Sequence, residues 1–305
     1  MKRAWAAALI LALFFTIVGF GRPAIAEQTR REKTTRHFKF LYHAEQQRLV
    51  VHLSKLAEEV RASHCKLIKP CYGGKITVRV AGDEEEFLQL QPYRAHIDWA
   101  AGVAYADLSL IILRIDKAMM LTLEETLEHE ISHILLLRVV KKRPPRWFIE
   151  GLAILQARQN LIERFETVAA AQVSGGPFPL DDISESFPSG VSGRNLAYAQ
   201  SGLFVSFLVN TYGEKKFKQL LGALTWSTSF KDAIRKVYGV SLASLEAEWV
   251  DSFSSLSWLL ALTSDWMLWL FLTALFLVAF VVRTARNKRR KRKMEEEERD
   301  WEFVD

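Results

Sequence analysis

Apolar residues recur along this chain at two spacings, and the switches between them mark out its elements. His37-Phe38-Lys39-Phe40-Leu41-Tyr42 alternates with a period of two and predicts a strand, as does KITVRV at 75–80. Between them Leu49, Leu53, Leu56 and Val60 hold a helical period over 45–65. Gly82-Asp83 turns into a further helix over 84–90, and residues 102–105 and 108–115 predict a hairpin turned at Ala106-Asp107. Helical spacing returns over 195–212, 215–224, 230–238 and 242–253. Two stretches lack a period: the charged lead-in 27–36, and 160–195, where Gly175-Gly176-Pro177, Pro179, Asp181-Asp182 and Pro188-Ser189-Gly190 predict a looser region framing a cleft wall. Asp181 and Asp182 read best as caps of a following turn.

Two helices lie at the centre of this pattern. Thr122-Leu123-Glu124-Glu125 is a capping box that starts the first, and Pro144-Pro145 stops it, because proline cannot continue a helix and restricts the residue before it. The second starts near Pro145 or Arg146 and runs through WFIEGLAILQARQ. Gly151 and Ala153 lack bulk, which predicts a close approach of the second helix to the first.

The first helix carries His129-Glu130-Ile131-Ser132-His133, the H-E-x-x-H pattern. Residues four apart lie about 40° apart in helical projection, so His129 and His133 can aim two imidazole nitrogens at one tetrahedral zinc ion. Glu130 beside them can take a proton from water, whose pKa zinc lowers to roughly 7. A third protein ligand is needed, and Glu150, in the first two turns of the second helix, is the candidate. The rival readings are a core helix on which the pattern arose by chance, and a solvated glutamate at a helix edge.

The arrangement resembles the gluzincin branch of the zinc peptidases, in which a liganding glutamate follows H-E-x-x-H on the next helix. More specifically it resembles the peptidase MA-like domains whose second helix reads P-x-W-x-x-E-G-x-A, here Pro145, Trp147, Glu150, Gly151 and Ala153. The metzincin extension is absent, with Leu136 and Val139 at its glycine and third-histidine positions, and so is the G-x-M-E-N strand of aminopeptidases. The resemblance implies that the strand near 102–104 is an edge that pairs with substrate backbone; an ordinary sheet edge is the alternative. It also singles out Tyr198, in Tyr-Ala-Gln-Ser, as a donor to the oxyanion, against a core tyrosine. One departure stands out: where thermolysin-like enzymes place an acid four residues after the liganding glutamate to support a histidine, this chain has Ile154, leaving Glu125 as a possible substitute.

Composition and charge place this unit. The net charge of +6 is concentrated at the ends: residues 1–26 carry three basic groups and no acid, and those from 283 onward carry nine basic and seven acidic groups. Residues 27–282 therefore net only +1, which leaves no basic face for nucleic acid. Lys2-Arg3, an apolar run over 4–20 and Ala24-Ile25-Ala26 read as a signal peptide over 1–26, with an uncleaved anchor as the alternative. Residues 256–282 read as a transmembrane helix, and the basic block RTARNKRRKRK that follows fixes that end in the cytoplasm. Residues 283–305 then form a cytoplasmic tail whose charged end is too polar to fold alone. In an exported chain Cys65 and Cys71 predict a disulfide, with metal ligation by sulfur as the rival. His43, His52, His64 and His96 have no metal-type spacing; His96 alone is kept as a reserve ligand.

The expected fold is α+β: a small mixed or antiparallel sheet with a zincin-type metal helix over 27–160, a helical subdomain over 161–254 and one membrane span. The expected function is that of a membrane-anchored, extracytoplasmic metallopeptidase with one Zn2+, acting on peptide or protein substrates. A catalytically inactive zincin-fold binding or assembly module at the membrane is the alternative, and Glu130 argues against it, since a structural zinc site has no use for that carboxylate.

Overall fold

A computed structural model describes residues 30–94, 97–116, 123–173, 175–227, 229–261 and 265–302. The expected signal peptide, the capping residue Thr122 and His96 lie outside the described residues. The fold is mixed α+β, and the chain divides into two compact units, 1–64 with 72–138, and 65–71 with 139–305.

The first unit is built on one five-stranded mixed sheet. Its strands are β1 (Arg31–Thr34), β2 (Phe38–Tyr42), β3 (Ile76–Ala81), β4 (Gly102–Tyr105) and β5 (Leu110–Arg114), in the order β1-β2-β3-β5-β4. β2, β3 and β5 run parallel, while β1 and β4 are antiparallel to their neighbours and form the two edges. The period-two pattern puts Phe38, Phe40, Tyr42, Ile76, Val78 and Val80 inside, and β5 is buried along its whole length. Each such side chain contributes about 1.5–3 kcal/mol on leaving water. The charged lead-in is thus not loose. Its residues 31–34 form an edge strand, on which Glu32 pairs with Lys39 of β2 at 2.6 Å, and charge suits an edge because it discourages further pairing.

Helices α1 (Gln47–His64), α2 (Glu84–Leu90) and α3 (Leu123–Leu137) complete this unit. Asp83 caps α2, its carboxylate accepting from the Glu86 amide at 2.9 Å. α3 buries Leu127, Ile131, Ile134 and Leu135 and leaves its other face half-exposed.

The second unit comprises α4 (Arg146–Gln156), α5 (Leu161–Val173), α6 (Val191–Leu224), α7 (Phe230–Tyr238), α8 (Leu242–Ala261) and α9 (Asp265–Glu302). Pro145 starts α4, its fixed φ of −58° suiting a helix start. Trp147 is fully buried and meets Phe148, Phe204 and Phe230 edge-on at 5.8, 5.2 and 5.5 Å, so the motif tryptophan anchors α4 in an aromatic core. α6 breaks at Gly213, whose φ of 85° separates the two helices expected on either side. Cys65 and Cys71 form a disulfide with Cα atoms 5.3 Å apart, which leaves no sulfur for a metal.

Two expectations are corrected here. Residues 161–173 form a helix rather than a loose stretch, started by Asn160, whose side chain accepts from the Ile162 amide at 3.0 Å. The remaining loop is pinned where Gln200 bonds both backbone groups of Phe178, at 3.0 and 2.8 Å. The apolar run 256–282 reaches into α8 and α9, and residues 262–264 between them lie outside the described residues. Trp269–Arg292 within α9 is long and apolar enough to cross a membrane, spanning about 36 Å at 1.5 Å per residue. α9 then continues to Glu302 through Arg, Lys, Met and Glu, all good helix formers, so the tail is helical where a structureless end was expected.

Candidate metal centre

His129 and His133 stand one turn apart on the half-exposed face of α3, with rings 4.7 Å apart and edge-on. Glu150 is the fifth residue of α4 and is buried at 8% exposure. One donor atom from each of His129, His133 and Glu150 lies within 4.8 Å of the others. Around a tetrahedral ion with bonds near 2.0–2.1 Å, donors stand about 3.4 Å apart. Two imidazole nitrogens and one carboxylate oxygen make a donor set fit for a divalent cation, and these three residues can hold one.

Glu130 points off the same helix and is 7% exposed. Strand β4 crosses directly over it: a Cβ on Gly102 would lie 3.1 Å from Glu130 Cγ and 2.6 Å from Thr126 Cγ2. Glycine is therefore required at 102 for the edge strand to lie against this turn of α3. Burial, and after it the negative charge of Glu130, pushes the Tyr105 phenol up, so that this hydroxyl at the end of β4 stays protonated.

Around Glu150 the surroundings are cationic and aromatic. Arg146, one turn earlier, brings Nε to 3.6 Å from Glu150 Oε1. Its guanidinium lies 4.9 Å from the centre of the Phe187 ring, and Phe187 meets Tyr198 edge-on at 4.9 Å. Tyr198 is half-buried on α6.

α4 owes its position to α6. A Cβ on Gly151 would fall 2.3 Å from the Ser201 carbonyl oxygen, and one on Gly202 would fall 2.7 Å from Ile154 Cγ2. The small residue at 151 thus admits α6, which corrects the expectation that it serves an approach to α3. Ile154, at the position where the resemblance led to the expectation of a supporting acid, is fully buried against Gly202, a place that would penalise a charge. Glu125 is exposed.

The remaining described histidines have their own partners. His37 meets Glu58 at 2.6 Å, His43 meets Glu86 at 2.7 Å, and His52 meets Glu124 at 2.6 Å. His64 is buried, with Nε2 3.4 Å from the Glu128 carbonyl, and burial pulls its pKa down to about 4. The sequence pattern put the strand at 102–104 beside the site but gave no role to Tyr105 or Arg146. Of these two only Arg146 left a signal, an opposite charge four residues before Glu150.

The family model of the Peptidase MA superfamily matches residues 86–255, more than half of the chain, with His129, Glu130, His133, Glu150 and Tyr198 among them. The chain belongs to the peptidase MA superfamily. No curated protein matches it. Among solved structures, the crystal structure of Legionella pneumophila aminopeptidase A in complex with aspartic acid is similar, at 14% identity and a TM-score of 0.46. The similarity covers 73% of this peptidase MA chain and 28% of that one, so this chain spans little more than a quarter of that protein's length.

Proposed function

We propose that this protein is a membrane-anchored zinc metallopeptidase that hydrolyses peptide bonds, with Glu130 as general base. The observation that carries this reading is the convergence of His129, His133 and Glu150 on one small volume, with the buried carboxylate of Glu130 one residue from the first of them. His129 and His133 supply imidazole nitrogens and Glu150 a carboxylate oxygen, the His2Glu set of catalytic zinc sites. When bound, the ion supplies Lewis acidity that lowers the pKa of water and polarises the carbonyl under attack.

The protein's own groups do the rest. Glu130 takes a proton from the attacking water and passes it to the nitrogen of the leaving amine, so the carboxylate ends each cycle as it began. β4 is a sheet edge, on which a peptide can lie as an added strand against the backbone of Gly102 and Ala104. Tyr198 would donate a hydrogen bond to the oxyanion as the carbonyl becomes tetrahedral. The exposed apolar helix Trp269–Arg292 supports a single-pass anchor, with its basic end in the cytoplasm and the peptidase domain outside.

The test uses the full-length chain in detergent. Elemental analysis is expected to find one zinc per chain, and a mixed peptide library is expected to be cleaved by the unmutated protein but not by Glu130→Gln, which keeps its metal. Zinc without cleavage by the unmutated protein would instead favour a binding module. Protease protection in sealed vesicles reads the sidedness of the domain.

A further inference from the structure

We infer that Arg146 is the positioning residue for Glu150, holding that carboxylate at the angle from which it completes the metal site; this rests on the metallopeptidase reading. The acid that the resemblance places four residues after the ligand, to support a histidine, is here the buried Ile154, packed on Gly202 of α6. A ligand carboxylate keeps its affinity when an outer partner fixes its last torsion. Arg146 stands one turn before Glu150, not one turn after it, with Nε 3.6 Å from Oε1.

Two contacts fix the arginine itself. Its backbone amide donates to the Ser184 carbonyl at 2.7 Å, which ties the first turn of α4 to the loop before α6. Its guanidinium lies 4.9 Å over the Phe187 ring, and that ring is in turn held edge-on by Tyr198. A planar cation seated on an aromatic face presents its edge in one direction, and here that edge carries the nitrogen nearest Glu150. A lysine could match the charge but not the fork or the stacking, so this is a place where the two cations are not equivalent.

The arrangement also joins two parts of the proposed machinery. Phe187 touches both the arginine that sets Glu150 and the tyrosine proposed to meet the oxyanion. A shift of this ring would disturb metal affinity and turnover together, whereas loss of the guanidinium alone would act first on the metal.

The experiment compares Arg146→Met, Arg146→Lys, Phe187→Leu and Glu150→Gln in the full-length protein. Metal affinity is read by competition with a chromogenic chelator, and ligand geometry by the visible spectrum of the cobalt-loaded protein. Arg146→Met is expected to bind zinc about 10–100-fold more weakly and to change the cobalt spectrum, with the melting temperature of the metal-free protein held. Arg146→Lys should recover part of the affinity. Wild-type affinity and spectrum in Arg146→Met would overturn the inference. Should that variant not fold, Phe187→Leu carries the test, with a several-fold weaker affinity expected and an unchanged one overturning it. Glu150→Gln separates the two readings: if it keeps zinc at full affinity, the metal site itself is wrong, whereas if it loses zinc while Arg146→Met does not, only the role of Arg146 falls.

Discussion

Glu130 and Glu150 are equally buried, at 7% and 8% exposure, yet each has neighbours of a different kind. Glu130 has the bare backbone of Gly102 across it, and its charge acts on the phenol of Tyr105. Glu150 has a guanidinium at 3.6 Å that an aromatic ring holds in place. The two settings suit two tasks. A group that must accept and return a proton is served by a close strand that keeps bulk water off it, whereas a ligand is served by a neighbouring charge that fixes its direction.

The sharpest way to break this contrast is to neutralise each acid in turn. Glu130→Gln is expected to lower kcat/KM by about 10³-fold, within the usual range for a general base, with zinc content unchanged. Glu150→Gln should lose zinc by more than the roughly 100-fold that removal of an outer partner costs. Turnover assays with metal analysis on the same samples read both, and equal zinc loss in the two variants would erase the distinction. Next in size is Gly151→Val, which sets a side chain against the Ser201 carbonyl oxygen, 2.3 Å from where a Cβ would stand. Backbone cannot yield as a side-chain tip does, so a loss of about 3 kcal/mol or more in chemical denaturation is expected. A stable Gly151→Val would mean that α4 does not depend on α6 for its place.

How much of this was legible follows the range of the interactions involved. The limits of α2 and α7 match the sequence pattern because local signals set them: Asp83 and Ser229 cap the starts, and Gly239 closes α7 at φ 80°. The grouping of His129, His133 and Glu150 was legible for the same reason, since helical spacing brings the first two together and a proline-started helix presents the third. β1 was misread because an edge strand needs no apolar face, and α5 because the glycines and prolines beyond 174 overshadowed the Asn160 cap. The reasons for glycine at 102 and 151 lie in contacts with Thr126 and Ser201, 24 and 50 positions away in sequence, which no local pattern encodes.

The supports of the two regions also differ in their response to acid. Arg146 acts through a side-chain charge, whereas α3 rests on His64, whose Nε2 meets the Glu128 carbonyl one residue before His129. Burial lowers the His64 pKa from 6.5 to about 4 in the folded state. Above pH 6.5 both folded and unfolded chains hold it neutral and its contribution is complete. As pH falls from 6.5 towards 4 the unfolded chain takes up the proton first, and stability is lost, by up to about 3 kcal/mol. Melting curves across this window should fall more steeply for the unmutated protein than for His64→Gln, and parallel curves would remove His64 from the account.

The smallest effect tests the room left above Glu130. In Gly102→Ala the new methyl would stand 2.6 Å from Thr126 Cγ2, 3.1 Å from Glu130 Cγ and 3.2 Å from Leu113 Cδ2. Thr126 is β-branched and its rotamer on α3 is restricted, so it yields less readily than a long side chain would. A loss of about 1 kcal/mol in stability and about tenfold in kcat is expected, with KM nearly held because the backbone of the edge strand is unchanged. Adding Thr126→Ser removes Cγ2 while keeping the hydroxyl, and should return the stability. If it returns the activity as well, the strain acted through Thr126. If kcat stays low while stability recovers, the methyl displaces Glu130 itself, and the close passage of β4 over α3 is what aims the base.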